Sequence, residues 1–355
     1  TLPRKVKSSP APPRSPRSSR LLRTNTVVVS IFDLASMGPE AMQNALASLC
    51  TPMYCEHMCT ETRVDTDLKG AMMKLIHYLG ALSLLLMIGL GVARAENPWE
   101  VIPDVPELPA ADASGTAATA NGEHVYYEIH GTSGPWIIFL HGGTGSALSW
   151  GNQVPEFSTH NRVLLIESRG HGRSTWNGTP LHYDEMADDV VKVMDALGIP
   201  KARIVGWSDG GDIAMIMAIR YPGRVEKFLT AGSNADTDAY DADNLANPPY
   251  TVPNDRSENA YKRLSPTPER WTEFRDAVYE MWSREPHILD QLKDIEAPAL
   301  IVVGQYDAIS VEHARLIADS IPGAEAVVMP DTSHYLPLQV PDEFNALVKE
   351  FLDVQ

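Results

Sequence analysis

Five residues, Gly206-Trp207-Ser208-Asp209-Gly210, constrain the folding of this 355-residue chain more than any other stretch. They form a G-x-S-x-G pentapeptide. Arg203-Ile204-Val205 precede it, and an apolar, glycine-free run from Ile213 to Ile219 follows. The first run reads as a short buried strand and the second as a helix. A serine that attacks a carbonyl must stand clear of the backbone, and a tight bend between strand and helix puts it there. The glycines two places before and after Ser208 carry no Cβ, so strand and helix can pass close together. The helix aims its first N–H groups at the place where negative charge develops. The pentapeptide by itself also fits a plain turn with a serine N-cap. The strand–turn–helix setting is what favours a nucleophile.

The rest of the chain from about residue 120 repeats the same alternation. Patterning predicts strands over 125–129, 136–140, 162–166, 225–230, 298–303 and 324–329, and helices over 183–197, 311–321 and 344–352. The run Trp136-Ile137-Ile138-Phe139-Leu140 is continuously apolar, as in a strand covered on both faces. Strands alternating with helices predict an α/β fold with a mostly parallel, doubly wound sheet. Residues 233–295 read as a small helical cap inserted over the strand ends. They open acidic and turn-rich, with Asp236, Asp238, Asp241 and Asp243, and turn helical from Pro268 to Trp282. Calcium is a weaker reading of those aspartates than a solvated loop, because the spacing does not fit a calcium-binding loop. Pro98, Pro103, Pro106 and Pro109 make 96–115 an extended arm.

The first 95 residues differ in kind. Pro3 to Arg23 is rich in Pro, Ser and Arg and has little to bury, so 1–71 is expected to be disordered or to be upstream translation outside the real protein. Met73-Lys74, the apolar run Leu75 to Val92 and Ala93-Arg94-Ala95 have the make-up of a secretory signal peptide over 72–95. A retained membrane anchor is the rival, because the run approaches spanning length. Small residues at 93 and 95 favour cleavage before Glu96 and a periplasmic or secreted protein. Cys50, Cys55 and Cys59 all lie in this first part, and their spacing matches no common zinc pattern. Residues 96–355 carry 18 Lys/Arg against 40 Asp/Glu, a net charge of −22. Such a body repels nucleic acid and anionic membrane.

A serine at its ordinary pKa is a poor nucleophile and needs a base. His334, in Pro330-Asp331-Thr332-Ser333-His334-Tyr335, follows the last predicted strand in a loop, where sites gather in such sheets. His141 and His171 lie in Gly-rich turns and read as structural. The base needs a carboxylate to hold its tautomer. Asp307, in Gly304-Gln305-Tyr306-Asp307, stands after the 298–303 strand, and the order Ser…Asp…His is kept. Asp236 is the alternate acid, and Asp331 reads as a turn residue. The oxyanion would be held by the backbone N–H groups of Asp209 and Gly143. The Asp209 side chain has two readings, an acid favouring the helix N-terminus or an anion that attracts a substrate ammonium. Trp207 is the one tryptophan assigned to substrate binding; Trp150, Trp176, Trp271 and Trp282 read as core by default.

Four blocks, His141-Gly142-Gly143, Arg169 to Ser174, Gly206 to Gly210, and Asp307 followed by His334, resemble the α/β-hydrolase-fold serine hydrolases over about 120–355. Gly-Trp-Ser-Asp-Gly-Gly is most similar to the biphenyl-hydrolase-like, valacyclovir-hydrolase-like branch and also occurs in bacterial esterases. The resemblance implies a cofactor-independent esterase acting on small-molecule esters, with Ser208, Asp307 and His334 as triad. The same triad supports amino-acid ester, lactone or amide hydrolysis, perhydrolysis and C–C cleavage. The fold also serves as a ligand-binding module.

Overall fold

The computed structural model describes residues 97–240 and 255–355. The expected disordered segment, the signal peptide and the three cysteines lie outside these residues, as do Asp241 and Asp243. From Ala93 to Gln355 the chain forms one compact unit.

Eight strands form a single sheet in the order β1-β2-β4-β3-β5-β6-β7-β8. They are β1 (Ala113–Ala118), β2 (His124–His130), β3 (Trp136–Leu140), β4 (Arg162–Ile166), β5 (Ala202–Trp207), β6 (Val225–Ala231), β7 (Ala299–Tyr306) and β8 (Glu325–Ser333). β1 and β2 run antiparallel to each other, and β2 runs antiparallel to β4. Every pairing from β4 through β3, β5, β6 and β7 to β8 is parallel. The predicted α/β architecture is present. β1 begins within the stretch 96–115 read as an extended arm and runs past its end. Its sequence, Ala-Ser-Gly-Thr-Ala-Ala, has no large apolar residue to mark a strand, and its pairing with β2 is what orders it.

Alternation along the strands divides the core. Ile138 and Leu140 join one buried cluster, with Ile204 from β5. Ile137 and Phe139 join the other, with Val205 and Trp207. Helices α1 (Tyr183–Ala196) and α2 (Asp209–Arg220) cover the first face. Met186, Val190 and Met194 of α1 point inward at helical spacing, as the sequence predicts.

The segment between β6 and β7 carries α3 (Arg256–Leu264) and α4 (Trp271–Trp282). Only α4 is foreseen by sequence; α3, Arg-Ser-Glu-Asn-Ala-Tyr-Lys-Arg-Leu, buries just Tyr261 and so lacks an apolar stripe. Tyr261 stacks on Phe274 of α4 at 4.9 Å, and Phe274 meets the His171 ring edge-on at 4.7 Å. The cap is thereby packed on the Arg169–Ser174 turn. After β7, α5 (Val311–Ser320) returns to the first face. α6 (Pro341–Leu352) closes the second with Phe344, Val348 and Leu352, each fully buried. Each such side chain contributes about 1.5–3 kcal/mol relative to exposure.

Candidate active site

β5 ends at Trp207 and α2 begins at Asp209, which leaves Ser208 alone at the bend. Its φ of 54° and ψ of −125° are strained for a residue with a side chain, at a cost of order 1–3 kcal/mol. Hydrogen bonds hold it there. The Ser208 N–H donates to the Ala231 carbonyl (2.8 Å), and its own carbonyl accepts from Gly211 N–H (2.7 Å) and Ser233 Oγ (2.9 Å). A Cβ on Gly206 would come within 2.3 Å of the Gly210 carbonyl oxygen. The two outer glycines of the pentapeptide therefore touch each other, and the bend closes only without side chains there.

Asp307 and His334 each follow directly on a strand, β7 and β8, as Ser208 follows β5. All three stand at the carboxyl ends of parallel strands. His334 Nδ1–H donates to Asp307 Oδ1 at 2.7 Å, and the same oxygen accepts the Ile309 N–H at 2.9 Å. That tautomer leaves Nε2 to accept, and it lies 3.0 Å from Ser208 Oγ. Burial works to lower the His334 pKa. The charge and hydrogen bond of Asp307, with the Asp209 charge, outweigh it and hold the imidazole above its ordinary value.

The loop after β3 lies against the serine. A Cβ on Gly142 would sit 3.0 Å from Ser208 Cβ. On Gly143 it would meet Trp282 Cζ2 at 2.4 Å and Asp209 Oδ2 at 2.6 Å. Gly143 is thus wedged between the cap and the residue after the nucleophile, with its backbone as the only surface it can offer. The structure brings together Ser208, Asp307, His334, Gly143 and Asp209 as the sequence suggests.

The Asp209 side chain is engaged. It is 6% exposed, and both carboxylate oxygens accept from the Trp282 indole N–H at 3.0 Å. Burial pushes its pKa up to about 6, against the opposing pull of Trp282, the Tyr183 hydroxyl and His334. Asp212, one turn on, is fully buried. Its Oδ1 accepts the Asn234 N–H at 2.9 Å, and the Tyr183 hydroxyl also bonds its carboxylate. Burial, then the Asp209 charge, raise its pKa well above the usual carboxylate range. Neither acid is the accessible anion that an ammonium would seek. They are also more than solvated helix-end charges, because they form a buried network with Tyr183.

Trp207 is placed away from the role assigned to it. Its ring lies in the second core cluster, 7% exposed, and its indole N–H donates to the His334 carbonyl at 2.8 Å. It touches the backbone of the base, which corrects its assignment to substrate binding. Trp282, read as core, is the tryptophan that meets Asp209 and Gly143. Nothing local in the sequence marks it, since its partners Asp209 and Gly143 are remote in the chain. Trp150, Trp176 and Trp271 are buried as expected.

His141 and His171 are structural. His141 Nδ1–H donates to the Gly142 carbonyl and Nε2 accepts the Ser168 N–H at 3.2 Å. Burial lowers the pKa of both, that of His171 to about 3. Asp236, the alternate acid, faces His287 at 3.3 Å. Asp331, read as a turn residue, instead lies within β8, at a positive φ of 53°. Among the described residues no cluster of His, Cys, Asp and Glu has the make-up of a metal site.

Comparison with known proteins agrees with this geometry. The family described as alpha/beta hydrolase fold matches residues 135–270. A serine hydrolase, BPHL, from Homo sapiens is 29% identical over 274 residues, covering 70% of this chain and 91% of that protein. A putative carbamate hydrolase, RutD, from a Caulobacter species is 28% identical over 258 residues, covering 64% of this chain and 95% of that protein. Among solved structures, an enzyme described as degrading N-acyl homoserine lactones is 30% identical with a TM-score of 0.55. That match covers 67% of this chain and 100% of the other. An enol-lactonase from Burkholderia xenovorans, 26% identical with a TM-score of 0.54, covers 67% and 100%. With its sheet order, its serine bend and these relatives together, the chain belongs to the α/β-hydrolase family and is a hydrolase.

Proposed function

We propose that this hydrolase cleaves carboxylic esters of small molecules through an acyl-enzyme. The observation that carries the reading is the chain Ser208 Oγ, His334 Nε2, His334 Nδ1, Asp307 Oδ1, with links of 3.0 and 2.7 Å on a strained bend. His334 takes the Ser208 proton as Oγ attacks the carbonyl carbon. The oxyanion is received by the backbone N–H groups of Asp209 and Gly143. Imidazolium then gives its proton to the leaving alcohol, and the ester bond breaks. Water, deprotonated by the same imidazole, attacks the acyl-enzyme and releases the acid and Ser208. Asp307 holds the imidazole in its tautomer and stabilises the imidazolium.

Lactone opening is the same chemistry with a tethered leaving group, and the two related structures described as lactone-acting enzymes give that reading support. With residues 72–95 read as a signal peptide, the enzyme acts in the periplasm or outside the cell; the mass of the mature N-terminus tests this.

The test is labelling with a fluorophosphonate, with the adduct located by mass spectrometry, beside turnover of p-nitrophenyl acetate and an acyl lactone. The expected result is an adduct on Ser208, and a Ser208→Ala variant slower by on the order of 10⁶-fold. A Ser208→Ala protein that keeps its rate overturns the proposal. A higher kcat/KM for the lactone moves the assignment to lactonase.

A further inference from the structure

Two loops carry the acid and the base, and one side chain beyond them joins both to the start of the described chain. Gln339 closes the one-turn helix Leu336–Gln339 that follows His334. Its Oε1 accepts from the Ser333 N–H at 2.8 Å and from Ser333 Oγ at 3.1 Å. Ser333 is fully buried and immediately precedes the base. The Gln339 Nε2 donates in the other direction, to the carbonyls of Val101 (2.9 Å), Trp99 (3.1 Å) and Pro98 (3.3 Å).

The arm that supplies those carbonyls has its own hold on the acid. The Trp99 ring stacks on Tyr306 with centroids 4.0 Å apart and planes 18° apart. Tyr306 is the residue before Asp307, and it pairs with Ser333 across β7 and β8. The turn that places Trp99 is locally fixed, since the Asn97 side chain donates to Glu100 at 2.8 Å and the Glu100 N–H bonds the Asn97 carbonyl at 2.9 Å. Further along, the Pro103 carbonyl accepts from Arg256 Nη2 of α3 at 2.7 Å. The arm therefore touches the acid's strand, the base's loop and the cap.

We propose that Gln339 and the arm from Asn97 to Asp104 are positioning elements for the triad. The arm holds Tyr306, and Gln339 holds Ser333, so the 2.7 Å link between Asp307 and His334 is clamped from outside the sheet. Neither touches substrate. They act through the residues adjacent to the acid and the base. This inference rests on the triad reading above, and its test is built to fail separately.

Gln339→Leu, which keeps shape and removes both donor and acceptor, Gln339→Glu, which keeps only the acceptor, and Trp99→Ala are made in the full chain beside Ser208→Ala. Four readouts are taken: kcat and KM on p-nitrophenyl acetate, the rate of fluorophosphonate labelling, the acid inflection of kcat/KM, and Tm. Gln339→Leu is expected to lower kcat and the labelling rate roughly 10- to 100-fold, because misplacement by about 1 Å is enough for such a loss. KM stays within about twofold on the same argument, since no substrate contact is removed. The inflection moves down, as His334 loses part of its bond to Asp307. Gln339→Glu recovers part of the rate, and Trp99→Ala shows the same pattern in weaker form. A Gln339→Leu protein with the parent's kcat and inflection overturns the proposal, whatever its Tm. If Gln339→Leu does not fold, Trp99→Ala decides by the same criterion. A dead Ser208→Ala beside an unaffected Gln339→Leu sinks only the clamp, whereas an active Ser208→Ala sinks the triad reading itself.

Discussion

Glu123, Glu167 and Asp189 are as deeply buried as Asp209 and Asp212, yet the first three lie against arginine and the last two do not. Arg169 reaches Asp189 at 2.8 Å and Glu123 at 3.6 Å, and also bonds Glu185. Arg173 reaches Glu167 at 2.7 Å and bonds Glu128. Among the described residues no lysine or arginine pairs with Asp209 or Asp212; their donors are an indole, a phenol and a backbone amide. Matched acids keep their field local and hold the β2, β4 and α1 elements together. Asp209, unmatched and next to the serine, lets its field reach the imidazole, where it joins Asp307 in raising the His334 pKa. Pairing does not cancel desolvation, since burial lifts Asp189 to about 6 even beside Arg169. It decides where the remaining field ends.

The largest expected effect lies at the acid that faces the base directly. Asp307→Asn should lower kcat by about 10⁴-fold, because the imidazole loses its tautomer and its counter-charge. The acid limb of kcat/KM, placed above the ordinary imidazole value in the parent, should fall with it. An unshifted limb would remove Asp307 from the field.

Arg169→Met comes next and acts on stability. It leaves Glu123 and Asp189 buried without their cation, at a cost of about 3–5 kcal/mol. Urea unfolding reads this loss. The kcat/KM inflection of the molecules that remain folded should not move, and a moved inflection would erase the distinction between the two acid groups.

Asp209→Asn should shift the inflection down by less than Asp307→Asn does, because Asp209 is the weaker of the two charges on His334. Titration of kcat/KM against pH distinguishes the two variants. The smallest effect is on the pH dependence of folding. Asp209 titrates at about 6 in the fold against 3.8 ordinarily, so the folded protein holds its proton longer. The associated stability is complete below about pH 4 and is lost as pH rises through about 6. Asp212, raised well above the ordinary carboxylate value by burial and then by the Asp209 charge, contributes in the same direction. Asp212→Asn should therefore flatten the decline of stability with rising pH, seen in unfolding curves at pH 5 and pH 9. A decline as steep as the parent's would mean Asp212 is not the group responsible.

Covalent neighbourhood explains which parts of this site can be read from sequence. Gly206 to Gly210 fold against one another, so the bend is written in five consecutive letters. Asp307 and His334 are found because each follows a strand whose apolar run is evident. The register of β8 is less visible: Pro330-Asp331 reads as a turn, but the strand continues through the left-handed Asp331 to Ser333, carried by pairing with β7. Trp282, Tyr183 and Gln339 cannot be recognised in this way. Trp282 meets Asp209 across 73 residues, Tyr183 meets it from another helix, and Gln339 reaches the base only through Ser333; each sits in a sequence that reads equally well as ordinary helix. Trp207 shows the opposite error, since proximity to Ser208 in the chain puts its side chain on the core face and not in the substrate space.

Trp207 nevertheless has a consequence of its own. It is bonded covalently to the nucleophile's residue and, through its indole, to the backbone of the base. The spacing between Ser208 and His334 is thus measured inside the packed interior, by a ring packed against Trp150 and Tyr335. Heat inactivation is therefore expected to coincide with melting of the sheet, checked by following residual activity and circular dichroism over one temperature ramp.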